Sequence, residues 1–201
     1  MLLRPTFLRT MAHVAKKAKV GEQVRAVTVG TDMKSATISL QKARPWYMTD
    51  AEGSNTAADN AVSLKELFEG KNVALFGVPA PFTGTCTNEH YPGYKMLADD
   101  FLKAGVDKIV CYAVSDPYAH YNWAKDLKND FDKIEFMADA DSSFVQAFDL
   151  EMDCTGVSLG VRSKRFSMFV KDGEVKVLNI VEADADKDAE NLLGGIKNLK
   201  D

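Results

Sequence analysis

A single α/β layer sandwich, with a mixed central sheet flanked by helices, is the fold class that this sequence predicts. Three observations carry the prediction. Short apolar runs alternate with helix-forming stretches through the middle of the chain, a hairpin signal and an amphipathic helix close it, and no internal repeat divides it. At 201 residues, 46% of them apolar, the chain is long enough for one domain with a sizeable core.

Alternating runs at Val24 to Val29 and Ala36 to Leu40, around a Gly-Thr-Asp turn, predict an N-terminal hairpin extension. Residues 42–60 are polar and read as a surface loop. Ser63-Leu64-Lys65-Glu66 has the form of a capping box, opening a short helix that runs to Phe68 and stops at Gly70. The run Asn72 to Val78 reads as a buried strand, bounded by Gly70 and Pro79. A turn rich in proline and glycine follows, and a helix starts near Thr85, with Pro92 expected to kink or break it after little more than a turn. Its continuation, Tyr94 to Lys103, ends at Gly105.

Lys108 to Val114 is the next buried strand. Asp116-Pro117 supplies an N-cap and a first-turn proline for a helix reaching about Asn129. Glu135 to Ala138 reads as a short strand, and Ser142 or Ser143 as the cap of a helix through Phe148. Arg165 to Val170 and Val175 to Ile180 flank an Asp172-Gly173 turn, a hairpin signal. Residues 184–200 form a final amphipathic helix, weakened by Gly194-Gly195.

The net charge of −4 is unevenly spread. Arg4, Arg9, Lys16, Lys17 and Lys19 stand in the first twenty residues without a single acid, which leaves −9 for the rest. An acidic body of that kind argues against a nucleic-acid partner. The basic opening, interspersed with Leu, Phe, Val and Met, reads as an amphipathic mitochondrial targeting presequence over residues 1–20, ahead of a domain over 21–201. A plain basic tail is the alternative. No apolar run reaches the roughly 18 residues that span a membrane. Cys86, Cys111 and Cys154 are too few and too scattered for a disulfide framework or a zinc cluster. No phosphate loop, dinucleotide fingerprint or metal-ligand cluster appears, so no metal or organic cofactor is expected.

Cys86 lies just past the end of a strand, in the first turn of a helix. Free backbone N–H groups and the positive end of the helix dipole favour an anion there. The thiolate is the reactive form of cysteine: at a pKa of about 8.5 only a few per cent is ionised near neutrality, whereas a value near 6 ionises most of it. The bland alternative is a packed cysteine with Thr83 as a mere cap.

Pro79-x-x-x-Thr83-x-x-Cys86 resembles the active-site signature of the peroxiredoxins, thiol peroxidases built on a thioredoxin-like fold. The longer string FGVPAPFTGTCTNEHYPGY is similar to the type II branch, which includes plant type II and animal peroxiredoxin-five-like enzymes. SLQKARPW, IVCYAVSDPYAHYNWAK and GVRSKRFSMFVKDGEVKVLNI extend the resemblance from about Gly21 to the C-terminus.

The resemblance implies that Cys86 attacks a hydroperoxide and becomes a sulfenic acid, the reversible first stage of cysteine oxidation. It implies a catalytic set of Cys86, Thr83 and Arg165, with Pro79, Thr85 and His90 as substrate-binding contacts. The Thr83 hydroxyl would face sulfur and peroxide, the Thr85 and Cys86 amides would add donors, and Pro79 and Pro81 would stiffen the pocket. Arg165 takes the role of the pocket arginine, with Arg162 its nearest rival. His90, four residues after Cys86 and on the same helix face, is a proton relay or a hydrogen-bonding wall. His13 and His120 read as targeting or surface residues.

Animal members resolve the sulfenic acid with a cysteine near the C-terminus, and none follows Cys154 here. Cys111 reads as a buried inert thiol, and Cys154 as a resolving thiol only if its loop can reach Cys86. A one-cysteine cycle reduced by glutathione or glutaredoxin is favoured over thioredoxin. The function expected is reduction of hydrogen peroxide and organic hydroperoxides in antioxidant defence. The resemblance implies a homodimer; a location in the mitochondrial matrix is expected, with a plastid or cytoplasmic location as the alternative. From another class, the alternative is a redox-sensing or holdase interaction protein that keeps the fold.

Overall fold

The computed structural model describes residues 26–46 and 57–199. In chain order these form β1 (Ser39–Lys42), α1 (Ala57–Asn60), β2 (Ala61–Ser63), α2 (Leu64–Phe68), β3 (Asn72–Gly77), α3 (Tyr91–Lys103), β4 (Lys108–Ala113), α4 (Pro117–Asp126), β5 (Ile134–Ala138), α5 (Ser143–Ala147), β6 (Glu151–Cys154), β7 (Gly160–Ser163), β8 (Phe166–Lys171), β9 (Glu174–Ile180) and α6 (Asp188–Lys197). Seven strands make one mixed sheet in the order β2-β1-β5-β4-β3-β8-β9, and β6 pairs with β7 in a separate hairpin. β3, β4 and β5 run parallel at the centre; β1 and β8 join this core antiparallel. The expected α/β class, with its mixed sheet between helices, is the observed one.

Central strands buried on both faces explain why their sequences read as continuous apolar runs. Val73 and Leu75 of β3 face one core with Phe68, Phe144 and Phe166, while Ala74 and Phe76 face the other with Tyr94, Trp123 and Leu192. Period two in the strand thus feeds two separate hydrophobic layers. Cys86 belongs to the second layer.

Pairing register positions the chemistry. Gly77, at the end of β3, stands opposite Phe166, the first residue of β8. A side chain at Gly77 would fall inside the Phe166 ring, so glycine lets the aromatic ring close over the strand end. Arg165, immediately before Phe166, is thereby brought level with the loop that leaves β3.

Several expectations need correction. The N-terminal antiparallel pair exists, but β1 pairs with β2 rather than with residues 26–29 of the expected run. Within that run, the described residues 26–29 form no strand; Val27 N–H instead binds the Phe148 carbonyl at 3.1 Å. Pro92 does not break the helix. Residues 86–90 form a π turn in which Tyr91 N–H reaches back to the Cys86 carbonyl, and α3 continues from it. The wider turn accommodates a residue that has no N–H to donate. Neither Ser142 nor Ser143 caps α5. Ser142 adopts a left-handed conformation without a side-chain bond, and buried Asp139 accepts from the Phe144 and Val145 amides instead. The β6–β7 hairpin was not foreseen, and the expected last helix begins with a 3-10 turn at Ala185–Lys187. Residues 1–20, expected as a presequence, and His13 lie outside the described residues.

His120 is a buried residue, not a surface one. It lies three residues before Trp123 on the inward face of α4, between Trp123 and Phe136, with Nε2 3.2 Å from the Cys111 carbonyl. Burial pushes its pKa down to about 4, whereas an unfolded chain takes up the proton near 6.5. Between those values the unfolded state holds the extra proton, so the contribution of His120 to stability falls as pH drops from about 6.5 to about 4, by about 3 kcal/mol at the lower end. Asp139, its pKa raised by burial to about 6, contributes with the opposite sign in this window, so urea unfolding should show the wild-type protein losing stability with falling pH relative to His120→Leu.

Candidate active site

The turn leaving β3 is built from Val78 to Thr83. Phe82 has a φ of 61°, an uncommon conformation for a bulky residue, and its ring stands exposed beside Pro81. The Thr83 hydroxyl closes the turn by donating to the Ala80 carbonyl at 2.8 Å. Thr87 N–H then makes the first helical bond, to the Thr83 carbonyl at 3.0 Å. The amides of Gly84, Thr85 and Cys86 therefore precede the ladder and face outward from a helix start. Trp123 Nε1 donates to Thr87 Oγ1 at 3.1 Å, fastening this turn to α4.

Cys86 is 1% exposed, its sulfur enclosed beside the second core layer. Arg165 Nη2 donates to Cys86 Sγ at 3.5 Å. Arg165 Nη1 lies 3.0 Å from His90 Nδ1, and His90 Nε2 lies 2.8 Å from Asp188 Oδ2. Asp188 accepts two more bonds, from Tyr94 at 2.6 Å and from Ser167 at 2.7 Å. Asn179 in turn donates to Ser167 Oγ at 3.1 Å. Burial holds His90 below its ordinary value of 6.5, outweighing the hydrogen bond to Asp188 that raises it. Burial first, and the adjacent Asp188 second, push the Tyr94 phenol well above 10.

The two candidate arginines separate cleanly. Arg162 spends Nε and Nη1 on the carbonyls of Leu159 and Val114, whereas Arg165 reaches the sulfur. Both nitrogens of His90 are occupied by Arg165 and Asp188, so the imidazole meets the guanidinium and not the thiol. Pro79 and Thr85 lie in the same turn, on either side of Thr83. Cys111 sits in the middle of β4, where burial pushes its thiol well up, with a smaller contribution from nearby Cys86. Cys154 is partly exposed on the β6–β7 hairpin, opposite Gly160. All three cysteines are free. Among the described residues no His, Cys, Asp and Glu cluster could hold a metal ion, and no helix is long and apolar enough to cross a membrane.

A family model described as Redoxin matches residues 19–193. Peroxiredoxin-2F, mitochondrial, of Arabidopsis thaliana is 37% identical over 203 residues, covering 97% of this chain and 98% of the relative. The rice protein of the same name is 40% identical over 187 residues, covering 92% and 91%. The chain belongs to the peroxiredoxins, in the type II branch. Membership implies thiol-dependent peroxidase activity. The fold agrees with solved peroxiredoxins: reduced Prx3 of Vibrio vulnificus in complex with hydrogen peroxide matches at TM-score 0.72 and 30% identity, covering 86% of this chain and 97% of that one. Peroxiredoxin 5 of Alvinella pompejana, at 23% identity and TM-score 0.70, shares the fold.

Sequence reasoning brought Cys86, Arg165 and His90 together, and missed Asp188, Tyr94, Ser167 and Asn179 behind them. A faint signal existed. Ser167 and Asn179 are polar residues inside apolar strands, and a polar side chain buried there needs a partner. With its thiol enclosed and pushed up, Cys111 should stay unmodified during a brief exposure of the folded peroxiredoxin to iodoacetamide near neutral pH, while Cys154 is alkylated. Mass spectrometry of tryptic peptides checks this; labelling of both at one rate would contradict the buried position.

Proposed function

We propose that Cys86 is the peroxidatic residue of this peroxiredoxin, that Arg165 and Thr83 complete the catalytic set, and that hydrogen peroxide and organic hydroperoxides are its substrates. One observation carries the reading: a permanently charged guanidinium lies 3.5 Å from a cysteine sulfur at a helix start. The thiolate attacks the distal oxygen of the hydroperoxide, forming an S–O bond as the O–O bond breaks. The electron pair leaves on the second oxygen, which takes a proton to give water or an alcohol. Charge thus travels from sulfur to the leaving oxygen, and donors fixed along that line lower the barrier.

Arg165 supplies such donors, together with the free amides of Thr85 and Cys86. The proton of the Thr83 hydroxyl is engaged with Ala80, so Thr83 Oγ1 offers lone pairs and accepts the O–H of the incoming peroxide. Pro79 shapes the rim, and His90 holds the arginine. The Vibrio relative with hydrogen peroxide bound supports the substrate class.

For the reductant we favour glutathione or a glutaredoxin over thioredoxin. No cysteine follows Cys154, Cys111 is locked in β4, and Cys154 stands on a separate hairpin. A thiol from outside would attack the sulfenic sulfur, release water and be exchanged by a second thiol. The two relatives named mitochondrial and the basic opening segment support a mitochondrial address with residues 1–20 as presequence and 21–201 as the mature domain. A homodimer follows from the family resemblance, and exposed Phe82 and Val161 supply apolar surface for it.

Peroxide consumption with glutathione and glutaredoxin should vanish in Cys86→Ser and persist in Cys154→Ser. Arg165→Met should lower the rate constant for Cys86 oxidation about 100-fold, the cost of a lost transition-state donor, whereas Arg162→Met should stay near wild type. Loss of turnover in Cys154→Ser would assign it the resolving role. Fast oxidation without turnover under any thiol reductant would instead indicate a redox sensor.

A further inference from the structure

We propose that Asp188, at the start of α6, is a positioning residue that fixes the tautomer of His90 and, through it, holds the Arg165 guanidinium on the Cys86 sulfur. This rests on the peroxidase reading of Cys86 given above. A guanidinium donates and never accepts. Nδ1 of His90, 3.0 Å from Arg165 Nη1, must therefore present its lone pair. The ring proton then sits on Nε2, and only an acceptor can satisfy it. Asp188 Oδ2, 2.8 Å away, is that acceptor.

Its other two partners are donors as well. Tyr94 keeps its proton, because burial and the neighbouring carboxylate push the phenol well above 10; it donates at 2.6 Å. The Ser167 hydroxyl, itself accepting from Asn179, donates to Oδ1 at 2.7 Å. Three neutral donors thus surround a carboxylate that is 2% exposed. The fixed positive charge that compensates it along this chain of bonds is Arg165, one imidazole away. A buried charge without compensation is costly, so the carboxylate and the guanidinium hold each other in place across the ring.

The surrounding packing keeps the chain of bonds in register. His90 and Tyr94 are four residues apart on one helix face, and Phe76 stacks on Tyr94 at 3.8 Å while meeting His90 edge-on at 5.3 Å. Gly93 faces Ala189, where an added methyl would come within 3.2 Å. Its missing side chain lets the start of α6, and so Asp188, approach the helix that carries His90. The opposite tautomer, with the proton on Nδ1, would set an N–H against the N–H of Arg165 and turn the guanidinium off the sulfur. The carboxylate of a serine-protease triad controls its histidine in the same way; here the controlled group is an arginine.

The test is single-turnover oxidation of Cys86 by hydrogen peroxide, with sulfenic acid trapped and quantified by mass spectrometry. Asp188→Asn keeps the size and removes the charge. It should lower the rate constant about 10- to 100-fold, the range expected when a hydrogen bond to a charged group is lost. In an Arg165→Met background the same substitution should cause no further loss, because both changes remove one interaction. A wild-type rate in Asp188→Asn, or an equal drop in both backgrounds, would overturn the proposal. Nitrogen-15 NMR of the wild-type ring supplies a measurement independent of how the variant folds: a proton on Nε2 is expected, and a proton on Nδ1 would refute the role. Were the wild-type protein inert toward peroxide, the peroxidase reading would fall, while the tautomer measurement would still decide the part played by Asp188.

Discussion

A positive charge rests beside the Cys86 sulfur, and nothing in a lone strand end would keep it there. Arg165 precedes β8, where an arginine side chain left to itself would extend into water and lose nothing by doing so. Two constraints prevent this. The register between β3 and β8, secured where Gly77 receives the Phe166 ring, sets the height of Arg165 on the sheet. The imidazole of His90 then sets its direction. Backbone pairing does the coarse placement and a side-chain hydrogen bond the fine placement.

The layered architecture serves the same end. β3 delivers Cys86 from one side of the sheet centre, β8 delivers Arg165 from the next strand over, and α6 returns the chain across α3 to bring Asp188 behind His90. Cys86 and Arg165, 79 residues apart in sequence, meet at the sulfur, and Asp188 stands behind His90. Preorganisation of this kind lets donors act without reorganising as charge moves.

Much of this was readable from residue order. β3 and β4 were plain because strands buried on both faces must be apolar throughout. The β8–β9 hairpin was plain because Asp172-Gly173 leaves few other turns. The Cys86 position followed from a strand, a proline-rich turn and a helix in sequence. What escaped reading depended on distant partners. A lone Ser167 or Asn179 in an apolar strand says that a partner exists without saying where. Asp188 looked like any acid near a helix start, and His120 like any exposed histidine until Trp123 and Phe136 closed around it. Asp139 displaced the serine cap at α5 because a carboxylate from the end of β5 reaches the same amides. The Pro92 break was misjudged because a helix can widen rather than stop.

That widening bears on how firmly the buried sulfur is held. The turn that starts at Cys86 spreads its bonds over five residues instead of four, and Pro92 supplies no donor to it. A segment with fewer cross-links comes undone more readily than the rest of its helix. The turn that carries Cys86 is therefore the part of this helix that opens at the least cost, while the rest of α3 stays wound.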